Sequence, residues 1–462
     1  MATLITNGTV VTASDTYEAD LRIEEGRIAA IAPRGKLPRD GADLIDAGGK
    51  QVMPGGIDVH THLDMPFMGT TSSDDFATGT RAAAFGGTTC LVDFAIPQKG
   101  RPMREALEAW QAKAEGKACF DYGFHMCIVE WTEQTPAELD AMVDEGITSF
   151  KLFTDYPGVF QIDDGAIFRA LRWSRSRGAL IQVHAVNGPA TAVLVEEAAA
   201  RGDLDPVFHG LCRPSRLEGE ATSRMVDLAE VAGAPVYIVH LTCAEALEAV
   251  RSGRRRGVSV YAETCPQYLY LSHDDMARPD FEGAKYICNP PIRPAWHAAE
   301  LWRGMRSGDI QTVATDHCPF NFKGQKEMGR GDFRKIPNGL PGIEPRVPLI
   351  HQGVVDGHIS LNQFVDLCST TPAKLFGLYP QKGSITVGAD ADLLIWDPQR
   401  TTDLSLAHQH MSVDHSLYEG REVRGGPEKV LVRGELVVDG ETFHGRPGAG
   451  RYLRRKPAFP VS

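Results

Sequence analysis

The sequence predicts an α/β protein, a (β/α)8 TIM barrel joined to a smaller β-sandwich domain built from both termini. Three observations lead there. Eight short, apolar, β-branched runs alternate with helix-compatible stretches through the middle of the chain. Histidine, lysine and aspartate close several of those runs, where a barrel carries its chemistry. Both ends of the chain differ from the middle and resemble each other, being dense in short strands and turns.

Bulk properties agree. At 462 residues the chain exceeds the size at which one core usually stops growing, so a large catalytic domain with a smaller companion is expected. A hydrophobic fraction of 42% with 23% charged residues is that of a globular chain, and 47 Gly with 29 Pro suit many tight turns. The net charge of −12 disfavours nucleic acid or an anionic membrane as the main partner. The opening residues Met1 to Gly8 have neither the basic nor the apolar region of a secretion leader, and no run of about 18 apolar residues occurs. A cytoplasmic location is therefore expected. Nine cysteines, scattered and without a CxxC pair, read as free buried thiols.

In chain order, the first short strands fall at 4–6, 9–12, 21–23 and 27–31, and the returning ones at 383–386, 391–396 and 429–438. Residues 1–53 and 379–445 are thus expected to form one composite β-sandwich. Residues 54–378 form the barrel, its strands at 56–59, 88–94, 123–129, 148–153, 179–183, 236–239, 258–262 and 310–315. Helices are expected between them, at 75–85, 105–114, 136–145, 164–177, 223–232, 244–251 and 295–306. Two connections, 264–294 and 317–343, are too long for plain barrel loops and are expected to build the site. Residues 446–462, rich in Pro, Gly and Arg, read as an arm toward a neighbouring subunit.

The residues at the strand ends form a pattern. The first strand ends in His60 and His62, the fourth carries Lys151, the fifth ends in His184, the sixth in His240 and the eighth in Asp316. Residues two apart on a strand share a face, so His60 and His62 can aim at one cation. Imidazoles and a carboxylate suit zinc and its borderline neighbours. Four histidines, one aspartate and one lysine are too many donors for one tetrahedral ion and about right for two. Lys151 is anomalous, because an ammonium among cations is repelled. Burial and nearby positive charge would lower its pKa, and the neutral amine could add carbon dioxide to become a carboxylate-like carbamate. His317 should point away from the mouth as a structural residue. His125, Glu130 and Glu263 lie near strand ends without a required role, and His408, His410 and His415 read as surface residues.

The run Pro54-Gly55-Gly56-Ile57-Asp58-Val59-His60-Thr61-His62, the Ser149-Phe150-Lys151 segment with Tyr156 downstream, the Val-His endings at 184 and 240, and Ala314-Thr315-Asp316-His317-Cys318-Pro319-Phe320 resemble the dihydropyrimidinase and D-hydantoinase family of cyclic amidohydrolases. The similarity runs along nearly the whole chain. It implies two divalent metal ions, zinc first, with Mn2+, Fe2+ or Co2+ as alternatives. His60, His62 and Asp316 would hold the more buried ion and His184 and His240 the more exposed one, with carboxylated Lys151 between them.

Asp316 would also act as the catalytic base, taking a proton from the attacking hydroxide and delivering it to the leaving ring nitrogen. Tyr156 would donate to the developing oxyanion. Asn289 and Asn338 would clamp the imide edge of the ring, and Leu63 and Phe67 would line the pocket for its exocyclic group. Asn289 departs from the family pattern, which more often has Ser there. The implied reaction opens a dihydropyrimidine or a 5-substituted hydantoin to an N-carbamoyl amino acid in a cytoplasmic homotetramer, with a small cyclic amide or imide as the partner molecule. The alternatives are an allantoinase, which shares the metal scaffold, and a non-catalytic dihydropyrimidinase-like protein that binds the cytoskeleton.

Overall fold

The computed structural model describes residues 2–460; Met1 and the last two residues of the expected arm, 461–462, lie outside the described residues. Eight parallel strands pair in sequence order: β1 (Gly56–Thr61), β2 (Thr88–Ala95), β3 (Asp121–Cys127), β4 (Ser149–Phe153), β5 (Leu180–His184), β6 (Val236–Ile238), β7 (Val260–Thr264) and β8 (Thr312–Val313). A parallel bridge from Thr61 to His317, with the His62 N–H donating to His317 O at 2.8 Å, brings the end of this array back to β1. The strands are buried on both faces, as parallel strands covered by helices are, and this accounts for their continuous apolar runs.

Local chemistry sets where the helices begin. Asp75 caps the helix Phe76–Phe85 by accepting from the Ala77 and Thr78 amides, while its own amide donates to the Thr78 hydroxyl. Asp163 caps Asp164–Arg175 through the Ala166 amide, and Trp173 of that helix packs edge-on against Phe150 of β4.

Two departures from simple alternation matter for the site. Ile57 and Val59 cluster with Cys90, Val92, Leu180 and Tyr237, residues of strands on opposite sides of the barrel that meet inside it, and with Phe376 beyond the barrel strands. Strict period two would then turn His60 outward. The ladder between β1 and β2 instead slips, Leu91 facing Asp58 but Asp93 facing Thr61, so β1 advances three residues against two. This irregularity in the ladder accompanies the turn of His60 toward Lys151. The seventh strand also runs two residues later than its apolar run suggests, which brings Glu263 into it.

The chain ends share one small core. In the seven-stranded sheet, Leu393–Asp403 pairs antiparallel with Gln51–Pro54, Ile395 opposite Val52. The facing four-stranded sheet comes from the first 46 residues. Ile5, Val10, Leu21 and Val52 from one end pack with Ile385, Leu393, Ile395 and Leu431 from the other.

The segment read as an intersubunit arm lies across the floor of its own barrel. Tyr452 bridges Tyr122 at the start of β3, and the buried Arg455 guanidinium donates to Ser149 Oγ at 3.0 Å, to Phe376 O and to Phe124 O. His415 is buried rather than at the surface, and His410 stacks on Phe85 while hydrogen-bonding Glu344. All nine cysteines are buried and free. Among the described residues no helix is long and apolar enough to cross a membrane.

Candidate metal centre and substrate pocket

The strand ends bring His60, His62, Lys151, His184, His240 and Asp316 to one space. His60 Nε2 lies 3.1 Å and His62 Nε2 3.2 Å from Asp316 Oδ1. Lys151 Nζ is 2.8 Å from His60 Nε2, and His184 Nδ1 faces His240 Nε2 at 2.9 Å. Ligand atoms sharing one tetrahedral ion at about 2.0–2.1 Å sit about 3.3 Å apart, close to these separations. The candidate ligand atoms of His60, His240 and Asp316 all lie within 4.8 Å of one another.

The electrostatics fit a cation. Burial lowers His62 to about 4 and takes His240 well below the ordinary imidazole range. Burial lowers His184 too, despite the neighbouring Asp155. Burial also lowers Lys151. Burial alone would raise Asp316, but His60, His62 and His240 hold it well below the carboxylate range. Burial thus disfavours the charged form of three imidazoles and of the amine. At His60, burial and Lys151 act in the same direction, but Glu263 and Asp316 outweigh them and raise its pKa. With the Asp316 carboxylate these are donor types suited to divalent metal. Among the described residues the buried atoms His62 Nδ1, His184 Nε2 and His240 Nδ1 have no hydrogen-bond partner, unusual for interior polar atoms.

Glu263, given no role from sequence, is the residue that orients His60. It is fully buried, accepts from His60 Nδ1 at 2.6 Å, from the Tyr237 hydroxyl at 2.8 Å and from the His240 amide at 3.1 Å. A carboxylate there places the ring proton on Nδ1 and leaves the Nε2 lone pair facing Lys151 and Asp316. An acidic residue closing an otherwise apolar strand is the signal that could have found it. Asp93 fixes the loop after β1 by accepting from Thr61 Oγ1, the Leu63 amide and Trp110 Nε1 at 2.7, 2.9 and 3.0 Å.

Three pocket residues carry backbone strain. Tyr156, His240 and Asp316 have φ of 63°, 37° and 52°, a left-handed conformation costing roughly 1–3 kcal/mol per residue without a glycine. Such positions persist where the surrounding structure over-determines them, and all three side chains line the pocket.

That pocket opens beside the candidate ligands. Tyr156, Asn289 and Asn338 supply its polar wall, and Met65, Phe67, Ile96, Phe153 and Phe160 its apolar one. Burial raises the Tyr156 phenol, so the hydroxyl keeps its proton and remains a donor. Phe67 stands edge-on to Tyr156 at 5.9 Å and stacked on Phe160 at 6.1 Å. Leu63 is a correction: it is fully buried against Gly79 of the first helix, because the residue after His62 turns to the opposite side. His317 does point away, its Nε2 at 3.1 Å from Asp74 and its Nδ1 accepting from the Gly342 amide.

Asn289 reaches across the pocket. Its Nδ2 donates to Asp155 Oδ2 at 2.7 Å, and Asp155 Oδ1 accepts from the Tyr156 amide at 2.7 Å. The amide thus ties one substrate segment to the loop bearing Tyr156. Asn289 Oδ1 has no protein partner among the described residues.

Comparison with known proteins agrees with this geometry. The amidohydrolase family model matches residues 51–437. The chain is similar to the D-hydantoinase of Streptomyces coelicolor, 54% identical over 456 residues that cover 98% of each chain. It is 52% identical over 457 residues to the D-hydantoinase of Geobacillus stearothermophilus, covering 98% of this chain and 97% of that one. Among solved structures, dihydropyrimidinase from Brevibacillus agri NCHU1002 superposes with a TM-score of 0.98 at 49% identity, covering 99% of both chains.

Proposed function

The chain belongs to the amidohydrolase family, and from that premise we propose that it is a cyclic amide hydrolase opening 5-substituted hydantoins and dihydropyrimidines to N-carbamoyl amino acids. The observation that carries the reading is the junction of two half-sites: a cluster of metal-type ligands, and beside it a pocket with a phenol donor and an aromatic wall. Non-catalytic relatives are conceived as having lost such ligands; here His60, His62, Lys151, His184, His240 and Asp316 are all in place.

In this proposal His60, His62, His184, His240, Asp316 and an N6-carboxylated Lys151 would hold two divalent ions, with zinc the metal we assign. Bound divalent metal supplies Lewis acidity toward a carbonyl and makes water acidic enough to attack at neutral pH.

The chain's own residues do the rest. Asn289 and Asn338 hold the imide edge, and Phe67, Phe153 and Phe160 take the exocyclic substituent while keeping bulk water from the ring. Tyr156 donates its phenolic hydrogen to the carbonyl oxygen as that oxygen gains charge. Asp316 accepts the proton of the attacking water and passes it to the ring nitrogen as the C–N bond breaks. Hydroxyl ends on carbon and hydrogen on nitrogen, so the step is balanced. A cytoplasmic homotetramer completes the proposal, on the strength of the family resemblance.

The test is a hydrolysis panel of dihydrouracil, hydantoin, 5-phenylhydantoin and allantoin, with metal analysis of the same sample. We expect ring opening of the hydantoins and dihydrouracil with about two metal ions per chain. Turnover of allantoin alone would replace the substrate assignment. Tyr156→Phe should lower kcat by about a hundredfold to a thousandfold with metal content unchanged; an unaltered kcat places the oxyanion donor elsewhere.

A further inference from the structure

We infer that Lys326 is a positioning residue of the substrate clamp, holding the 287–289 and 337–339 segments at a set separation, an inference that rests on the cyclic-amide reading above. Lys326 lies in the long connection after β8 and is fully buried. Its Nζ donates to three backbone carbonyls, Ile287 O at 2.8 Å, Pro337 O at 2.7 Å and Gly339 O at 2.8 Å. Three acceptors require three N–H groups, which only the ammonium form supplies. Among the described residues no carboxylate pairs with it, and burial lowers its pKa to about 7. A methionine would fill the same space without the cost of burying a charge, so the donors themselves are the feature to explain.

The three carbonyls belong to the two segments that carry Asn289 and Asn338. The Gly339 amide also donates to Ile287 O at 3.0 Å, so the segments touch directly beside the lysine. Gly339 has φ of 156°, and a Cβ there would stand 2.3 Å from Cys318 O, which leaves no room for a side chain at the crossing. On the far side of Asn289, His209 Nε2 donates to Cys288 O at 2.8 Å, and its Nδ1 accepts from Arg213 at 3.2 Å. Successive carbonyls of the first segment, Ile287 O and Cys288 O, are therefore each held by a buried side chain.

That arrangement affects binding in two ways. It sets the distance between Asn289 and Asn338, and it polarises the peptide groups they share with their neighbours. A cation hydrogen-bonded to Pro337 O strengthens the N–H of the same peptide unit, which is that of Asn338, and the bond to Ile287 O does the same for Cys288. Asn338 and Gly339 line the pocket. Lys326 thus acts on the ring through the backbone without touching it.

The test uses the holoenzyme and 5-phenylhydantoin, with Lys326→Met, which keeps the shape and removes every donor, and Lys326→Gln, which keeps two. If the parent enzyme opens no cyclic amide, the functional reading fails and the inference falls with it. With an active parent, the Met variant should fold, carry the parent metal content, raise KM about tenfold or more and change kcat less than about threefold, with the Gln variant between. A Met variant with KM within about twofold of the parent, or one that loses kcat at constant KM, overturns the inference. If neither variant folds, the lysine is structural and the inference is likewise overturned.

Discussion

The two ends of the barrel bury comparable polar clusters and treat them in opposite ways. At the floor, Lys382 is buried among Asp121 at 2.7 Å, Asp392 at 2.7 Å and Asp390 at 3.0 Å, and Asp121 also accepts from Arg433 and from the Arg451 amide. These charges find partners within the protein. At the mouth, His184 Nδ1 faces His240 Nε2 at 2.9 Å and Lys151 Nζ faces His60 Nε2 at 2.8 Å, nitrogen turned on nitrogen. Among the described residues the opposite ring nitrogens of His62, His184 and His240 have no hydrogen-bond partner. A buried polar cluster that closes on itself contributes stability; one left open by its own chain is arranged around something else.

Substitutions can break that contrast. The largest effect is expected of Lys151→Ala, which should remove bound metal and lower turnover by more than about a thousandfold while the melting temperature without metal stays near the parent value. Metal analysis and thermal melts of the same preparation check it, and near-normal turnover would remove Lys151 from the centre. Next is Lys382→Met at the floor. It leaves three buried aspartates facing each other and should destabilise the protein by about 3–5 kcal/mol. Denaturant unfolding measures the loss. The folded fraction should keep its metal content and KM, and a variant as stable as the parent sinks the structural reading of the floor.

Glu263→Gln tests the border between the regions, because Glu263 is fully paired yet serves a mouth residue. Replacing its carboxylate weakens the hold on the His60 Nδ1 proton, and metal affinity should fall about tenfold to a hundredfold with little change in unfolding midpoint. Chelator competition reads it; an unchanged affinity would assign Glu263 to the structural set. The smallest effect belongs to Asn289→Ser. A serine hydroxyl is too short to replace the 2.7 Å bond to Asp155. KM for a bulky hydantoin should shift by about threefold to tenfold at unchanged metal content, and equal KM values would leave the Asn289 tether without a role in binding.

Much of the candidate site was legible because barrel chemistry follows local rules. Strand runs could be counted from period and composition, and His60, His62, His184 and His240 follow directly on apolar runs that end at the mouth. Lys151 stood out as a charge in a run otherwise apolar. The misreadings have physical causes. The family resemblance implies Leu63 as a pocket residue, but it directly follows His62 and its side chain points to the opposite side. Glu263 lies near a strand end with no role legible in the sequence, because His60 meets it only in the folded barrel. His415 sits in polar sequence yet is buried, because the returning C-terminal segment packs against the barrel loops. The ladder irregularity that accompanies the turn of His60 leaves no mark in composition, since it is a property of how two strands align.

The sequence by itself determined the alternation of strand and helix, the residue types at the strand ends and the paired β-rich termini. These rest on side-chain chemistry and short-range period, which each segment carries wherever it lies. Only the tertiary structure decided which distant groups meet: Glu263 with His60 across 203 residues, Asn289 with Asp155 across 134, and Lys326 with the carbonyls of two separate loops. A side chain's partner depends on how whole elements pack, and the direction of a single lone pair or carbonyl is the last thing that packing decides.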